Sequence, residues 1–460
     1  MSSSGFVLRS GIFLKVLVCF SMVLMMSHTT SAQKAWTMAE CIDYAIKNNI
    51  TIKQSELTSE ISEINYTQSK AAFFPSLNGS AGYTYNFGKS INPYTNLSTN
   101  SEVQSMNLSA NGNLPIFNGF QIMNNLSQSK YEYMASNENL LKIKNDISLN
   151  VAAAYLQVLY SKEALKAAND RMEAATENTN RTRIMVSAGS MAQGNLLDAE
   201  AALALEELAK VNAENDLKTA MISITQLLEL KTTDGFDVAQ PAVELPDQSS
   251  LLVSADEIYA TALKVLPEFR AAELNIMSAE KGLAISKGAR FPQLSLGGGL
   301  FTNFSNVAKY FAGDQIGQDI PIDEQLGDNF NKYLGLNLSI PIFNGWSTES
   351  SIKRSRINLE NIKYNDQLTR NQTYKSIVQA HADAVAGQKK YAASQKAASS
   401  SAESYVYAEK KYNVGMLSSI EFLNVRNVKN KAESDFLQSK YDFIFRLKVI
   451  DFYLGKPLTF

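Results

Sequence analysis

The feature that most constrains this chain is that it contains the same unit twice. Leu114-Pro115-Ile116-Phe117-Asn118-Gly119-Phe120 recurs as Ile340-Pro341-Ile342-Phe343-Asn344-Gly345-Trp346, 226 residues later, and Phe74-Pro75 recurs as Phe291-Pro292, 217 residues later. Ala188-Gly189-Ser190 and Val414-Gly415-Met416 keep the larger offset. The difference of nine residues falls between these landmarks, so the second copy carries a longer insertion there. A repeat at a fixed period means one supersecondary unit built twice and packed on itself. The units are 33–230 and 256–460, preceded by a segment 1–32 and joined by a linker 231–255, where Gly235, Pro241 and Pro246 interrupt the pattern.

Glycine and proline set the helix lengths. Neither occurs between Gly119 and Gly189, and such a run spans about 100 Å as a helix at ~1.5 Å per residue. Its apolar positions Ile143, Ile147, Val151, Ala154, Val158, Leu165, Ala168, Met172 and Ala175 step by threes, fours and sevens, the spacing of a coiled-coil seam. Gly189 and Gly194 punctuate a reversal, and a second helix returns from about Asn195 to Leu230. The second unit repeats this from Ser347 to a turn at Gly415 and back to about Tyr453, with Gly387 its only interior breaker. Trp36–Ala72 reads as one further helix, which with the return helix nearly matches the long run. The two are expected to stack end to end beside it, giving a rod of roughly 100 Å.

Between the helices the period changes to two. Met106, Leu108, Ala110, Gly112, Leu114 and Ile116 alternate with Ser105, Asn107, Ser109, Asn111 and Asn113, and Leu334, Leu336, Leu338, Ile340 and Ile342 alternate with Gly335, Asn337 and Ser339. Weaker copies are Ala81, Tyr83, Tyr85, Phe87 and Leu294, Leu296, Gly298, Leu300. Each unit therefore supplies a β-hairpin, over 76–117 and 293–343. Alternation of this kind fits a half-buried sheet of a soluble protein, and its length also fits strands that cross a membrane as part of a barrel. Tyr83, Tyr85, Phe117, Phe120, Phe343 and Trp346 flank the strands as candidate interfacial aromatics. Four strands cannot close such a barrel, because open edges leave backbone groups unpaired in lipid. Two chains would give eight strands, filled by side chains, and three would give twelve, wide enough for a lumen.

Composition narrows the function. With 43 Lys+Arg against 45 Asp+Glu and no basic block, the chain has no electrostatic footprint for nucleic acid. Arg9 and Lys15, the apolar run Val16 to Met26 and the small residues before Gln33 make 1–32 a secretory signal peptide, and no later stretch is long enough for a spanning helix. One cysteine, Cys41, and one histidine, His381, remain after it, too few for a disulfide or an all-Cys/His metal site. His381 reads as structural. The acidic segment Asp314–Asp328 accounts for the longer insertion and reads as an external loop rather than a metal site, since it lacks the pattern of an EF-hand.

These motifs resemble the TolC-like family of outer-membrane efflux factors over essentially the whole chain after the signal segment. The resemblance rests on the opening Trp36-Thr37-Met38-Ala39-Glu40-Cys41-Ile42-Asp43-Tyr44-Ala45, the aromatic-Pro pairs before each hairpin, the Pro-Ile-Phe-Asn-Gly exits and the glycine-marked helical tips. It implies a mainly α chain with a small β part, whose four strands join a twelve-stranded barrel in outer-membrane lipid as a homotrimer above a periplasmic helical tunnel. It also implies no catalysis and no cofactor, but an exit duct for tripartite efflux or type I secretion, engaged by a periplasmic adaptor (membrane fusion) protein and an inner-membrane pump. The family's adaptor-contact signature falls on Val414, Gly415 and Met416, and less closely on Ala188, Gly189 and Ser190. Its gate carboxylates fall on Glu421, with Asn424 at the second, uncharged position, while Asn195 and Asp198 reverse that pattern in the first unit. Three Glu421 copies would make an acidic ring at the periplasmic end. Glu421 also reads as an ordinary acid in the first turn of a helix. Leu417 stands where relatives often carry a basic residue. The competing reading of the chain is a non-conducting structural or adhesive coiled-coil protein of the envelope, which would need no alternating strands; a secreted hydrolase lacks a Ser/His/acid context around His381.

Overall fold

The computed structural model describes residues 35–91, 98–100, 102–240, 248–312 and 315–458. The signal segment 1–32, Pro241, Pro246 and Asp314 lie outside the described residues. In the first half, helices α1 (Met38–Asn48) and α2 (Ile50–Ala71) precede strands β1 (Ser76–Asn86), β2 (Lys89–Ile91), β3 (Ser98–Asn100) and β4 (Val103–Asn118). Helices α3 (Gln121–Ser187) and α4 (Gln193–Leu227) follow. In the second half, a 3-10 turn at Gln248–Leu252 leads to α5 (Ala255–Val265) and α6 (Pro267–Gly288), and then to β5 (Gln293–Ser305), β6 (Lys309–Ala312) and β7 (Gln315–Asp319). The chain ends with α7 (Ile322–Asp328), β8 (Asn331–Ser339), α8 (Ser347–Asn413) and α9 (Ser419–Tyr453). The helices match in pairs: α1 and α5 have 11 residues, α2 and α6 have 22, α3 and α8 have 67, α4 and α9 have 35.

The expected single helix Trp36–Ala72 is broken at Asn49, whose backbone is extended at ψ 128°. The cause is a side chain. Asn49 Oδ1 accepts from Thr51 N at 2.9 Å to cap α2, and its Nδ2 donates to the carbonyl of Leu227 at 3.0 Å, at the very end of α4. In the second half the same break sits at Leu266, held extended by Pro267. α2 and α4 thus meet at Asn49 beside α3, but α1, counted in the expected stack, turns off to pack separately on α3, so the stack is shorter than the 67-residue helix beside it. Asn49→Ala should cost about 1–2 kcal/mol of fold stability, from the cap it provides, and a denaturant midpoint equal to wild type would refute this role.

The core lies where the helices meet midway along the rod. Met38, Cys41 and Ala45 of α1 pack on Val151, Tyr155, Val158 and Leu159 of α3, with Ile224 of α4 and Ile444 of α9 closing the cluster. Burial pushes the Cys41 thiol up to about 12, so it stays protonated and unreactive at neutral pH. A second cluster joins Ile258, Ala262 and Phe269 to Ile377 and Ala384 of α8 and Ile450 of α9.

The main sheet has the order β1-β4-β5-β8, wholly antiparallel. β4 runs on to Asn118, with a register shift between Pro115 and Phe117, whereas β8 stops at Ser339, short of the alternation expected through Ile342. Leu114 to Asn118 are held by β5; their counterparts after Ser339 have no strand beside them among the described residues. The expected loop is also more ordered than the sequence suggested. β6 and β7 form a ribbon, and α7 brings Gln325 against the end of β5. Gln325 Oε1 accepts from Ser305 N at 2.9 Å and its Nε2 donates to Ser305 O at 3.0 Å, replacing β8 where that strand has not yet begun.

Candidate functional site

The sheet has two chemically distinct faces, and its register shows which residues share each. Leu336 and Leu338 pair with Leu296 and Leu294, and Ala110 pairs with Leu300, on one side. Asn113, Asn111 and Ser109 share the other with Ser80, Asn337 and Ser339. The apolar face is bare: Leu77, Leu334 and Leu336 are 80%, 77% and 67% exposed. Edge strands β1 and β8 are exposed along their whole length on both faces. An isolated soluble sheet cannot leave a leucine face in water, whereas a membrane barrel needs that face toward lipid and the polar one toward a lumen.

At the opposite end, both helical hairpins turn in the same way. Gly189 and Gly415 adopt φ +74° and +76°, and the residues after them donate to the last helical turn, Ser190 N to Met185 O at 3.0 Å and Met416 N to Lys411 O at 2.9 Å. These paired bonds are the glycine-dependent helix stop, which satisfies carbonyls that α3 and α8 would otherwise leave open. Ala188, Gly189, Ser190, Val414, Gly415 and Met416 are all exposed, so the tips present their side chains outward.

Glu421 stands at the third position of α9 in a capping box with Ser418. Its carboxylate accepts from Ser418 N at 3.0 Å and Ser418 Oγ at 2.7 Å, and its own N–H donates back to Ser418 Oγ at 3.3 Å. Those bonds hold the exposed carboxyl below the usual glutamate range. Asn195, its counterpart on α4, is drawn into the same place, because Ser419 Oγ donates to Asn195 Oδ1 at 2.7 Å. Asp198 is partly exposed and Asn424 is exposed, and neither is brought against Glu421 by a hydrogen bond.

Several residues that hold the tips together were missed in the sequence. Arg181 of α3 bonds Asn413 at the end of α8. Above it, Glu206 is 8% exposed and is bound by Arg171 Nε at 3.3 Å and Asn430 Nδ2 at 3.0 Å, tying α3, α4 and α9 together. Tyr412 and Phe422 stack with centroids 4.6 Å apart. Glu206 was findable: Ala199, Ala202 and Glu206 step by three and four, which places a carboxylate in the buried seam of α4.

A duplicated helical rod carrying a four-stranded sheet, leucine on one face and Asn/Ser on the other, defines a subunit of an outer-membrane channel. The chain belongs to the outer membrane efflux protein family, whose model matches residues 41–229 and 258–456. It is 24% identical over 418 residues to the outer membrane efflux protein BepC of Brucella suis, covering 90% of this chain and 84% of that protein. It is 20% identical to the toxin and drug export protein A of Aggregatibacter actinomycetemcomitans, covering 88% and 82%. Among solved structures, it matches the CmeC outer membrane channel of Campylobacter jejuni with a TM-score of 0.77 at 19% identity, covering 91% of this chain and 85% of that one. The MtrE outer membrane channel of Neisseria gonorrhoeae, in its open state, matches at 0.72 and 17%, covering 94% of each. The family is one of channels rather than enzymes, and this protein is an outer-membrane efflux channel.

Proposed function

We propose that three copies close a twelve-stranded barrel and that cargo crosses it under the drive of a periplasmic adaptor and an inner-membrane pump seated on the helical tips. The observation that carries the reading is the four-stranded sheet, bare on both faces with both edges open. A sheet of this size in lipid must be completed by other chains, and twelve strands leave a lumen where eight do not. The helices support the same assembly. Within the chain α4 buries its small residues Ala199, Ala202 and Ala220 and leaves Leu197, Leu205, Leu208 and Val211 exposed. α2 likewise exposes Ile50, Leu57, Ile61 and Ile64 in one stripe. Large apolar stripes of this kind call for a neighbouring helix.

One duct serves different cargo according to the pump; one relative is named for the export of both toxin and drug. Val414, Gly415 and Met416, with Ala188, Gly189 and Ser190, form the adaptor-contact surface. Glu421 from three chains forms an acidic ring at the periplasmic constriction, with Asn195, Asp198 and Asn424 beside it. Such a ring favours cations. Because its hydrogen bonds lower the Glu421 pKa, its selectivity should persist as pH falls through the ordinary glutamate range and collapse only below it.

Planar-bilayer conductance of the detergent-purified protein tests the reading. Wild type should give small cation-selective steps that a multivalent cation blocks, and Glu421→Gln should weaken that block. Steps unchanged by the substitution would remove Glu421 from the gate. A membrane-inserted trimer giving no steps, even with its tips loosened by Asn195→Ala, would favour the non-conducting envelope protein.

A further inference from the structure

The two hairpins share one register. Adding 217 to each β1 residue and 226 to each β4 residue turns the β1–β4 pairing into the β5–β8 pairing: Ser76↔Asn113 becomes Gln293↔Ser339, and Tyr83↔Met106 becomes Leu300↔Lys332. β4 and β5 are therefore the chain's own example of how one hairpin joins the next. We propose that the β4–β5 seam is the template for the seam between subunits, in which β8 of one chain pairs with β1 of its neighbour in the same register. This rests on the trimer reading above. Moving the observed pairs Asn113↔Gly297, Asn111↔Gly299 and Ala110↔Leu300 by the same offsets pairs Ser339 with Ser80, Asn337 with Gly82, and Leu336 with Tyr83 of the neighbouring copy.

Two independent observations support this register. The first is the fate of the repeated Pro-Ile-Phe-Asn motif. In β4 it lies beyond Asn113, where β1 pairing ends, and it pairs with β5 alone. In the second half the same motif follows Ser339 with no strand beside it among the described residues, and Ile342 and Phe343 are 94% and 78% exposed. In both copies the motif's Asn also bonds the first turn of the helix that follows, Asn118 to Ile122 N and Asn344 to Thr348, so what distinguishes the second copy is the strand that Phe117 meets and Phe343 does not, which a neighbouring copy would supply. The second is the agreement of faces. The transferred pairs put Leu336 against Tyr83 on the apolar side and Ser339 against Ser80 on the polar side, whereas a slip of one residue would mix the two. The helical junction below the strands departs from the template, since Ala71 stands where Gly288 does, so the correspondence is drawn for the strands alone.

A slip of two residues keeps the faces, so the experiment must separate registers two apart. Ser339→Cys would be combined in one chain with Ser80→Cys, and in comparison chains with Gly82→Cys or Asn78→Cys. Residues 80 and 339 lie on opposite edges of the four-stranded sheet, about 14 Å apart across it at ~4.8 Å per strand and further apart along it, since the row of Ser80 ends at Asn331, so a disulfide between them can only join two chains. Native Cys41 is buried and does not compete. Oxidised outer membranes should give a reductant-sensitive, covalently closed trimer on denaturing gels for the Ser80 pair, with the other pairs at least tenfold weaker. Covalent trimer from the Gly82 or Asn78 pair instead would overturn the register while leaving the trimer standing. A non-covalent trimer by native mass that none of the pairs links would overturn the β8–β1 seam. A monomer by native mass would overturn the trimer reading itself, and the seam with it.

Discussion

Gly119→Ala is expected to abolish nearly all heat-stable, membrane-inserted channel, while Gly415→Ala is expected to leave most of it. Both glycines have positive φ, +66° and +76°, and an alanine in that conformation costs about 1–2 kcal/mol. The difference lies in what surrounds them. A Cβ on Gly415 meets open space, whereas one on Gly119 would drive into the carbonyl of Gly288, at the end of α6. The approach is tight from both sides, since a Cβ on Gly288 would fall 2.5 Å from the Gly119 carbonyl oxygen. Neither atom belongs to a flexible side chain, so relief requires moving β4 or α6, an overpacking cost of roughly 1–3 kcal/mol more. The position is already under strain. Phe120 also has positive φ, as does Trp346 at the matching turn, unusual for bulky residues. Asn118 Oδ1 accepts from Ile122 N at 3.3 Å to start α3. With three chains in one barrel the cost is counted three times, against a usual reserve of about 5–15 kcal/mol. Heat-modifiable mobility of the outer-membrane fraction reads the outcome, and equal yields of the two variants would show that the Gly119–Gly288 approach is dispensable.

The long helices were legible because no proline, and only Gly387, interrupts either run of nearly 70 residues: the tips fall at Gly189 and Gly415, as read. The strands were legible because an apolar/polar alternation has only one way to sit in a sheet. Where sequence reading failed, the deciding partner was remote. The break at Asn49 carries no glycine or proline; it is fixed by a carbonyl on Leu227, 178 residues away. Gln325 looks like any loop amide until it is found closing the edge of β5. At the tips, the Ser418-x-x-Glu421 spacing could be read as a capping box, but the Ser419–Asn195 bond between the repeats could not. The early end of β8 has a further cause, since no strand among the described residues lies beside the residues that follow Ser339. The exposed leucines of α4 belong with it. Periodicity marks them as a packing face, and only the structure shows that Ala199, Ala202 and Ala220 face inward with Leu196 and Ile224 while Leu197, Leu205, Leu208 and Val211 stay exposed.

Two adjacent residues of β8 should respond oppositely to the same substitution. Leu336→Arg is expected to prevent assembly, and Asn337→Arg to assemble and change ion selectivity. Leu336 lies near the middle of the strand on the apolar face, paired with Leu296 and two-thirds exposed. An arginine there costs about 2–4 kcal/mol at the bilayer midplane of a barrel, again once per chain. Asn337 pairs with Ser295 and projects to the opposite face, among Asn and Ser side chains, where a long cation meets water rather than hydrocarbon. Three such cations in one lumen bring a fixed positive ring to a wall that is otherwise uncharged at that level, so permeation should shift toward anions. The reversal potential in a salt gradient measures that shift, and the fraction of protein recovered as membrane-inserted trimer measures the first effect. Were Leu336→Arg to assemble normally while Asn337→Arg failed, the polar face would be the one in lipid, and the lumen assigned to the Asn/Ser face would have to be given up.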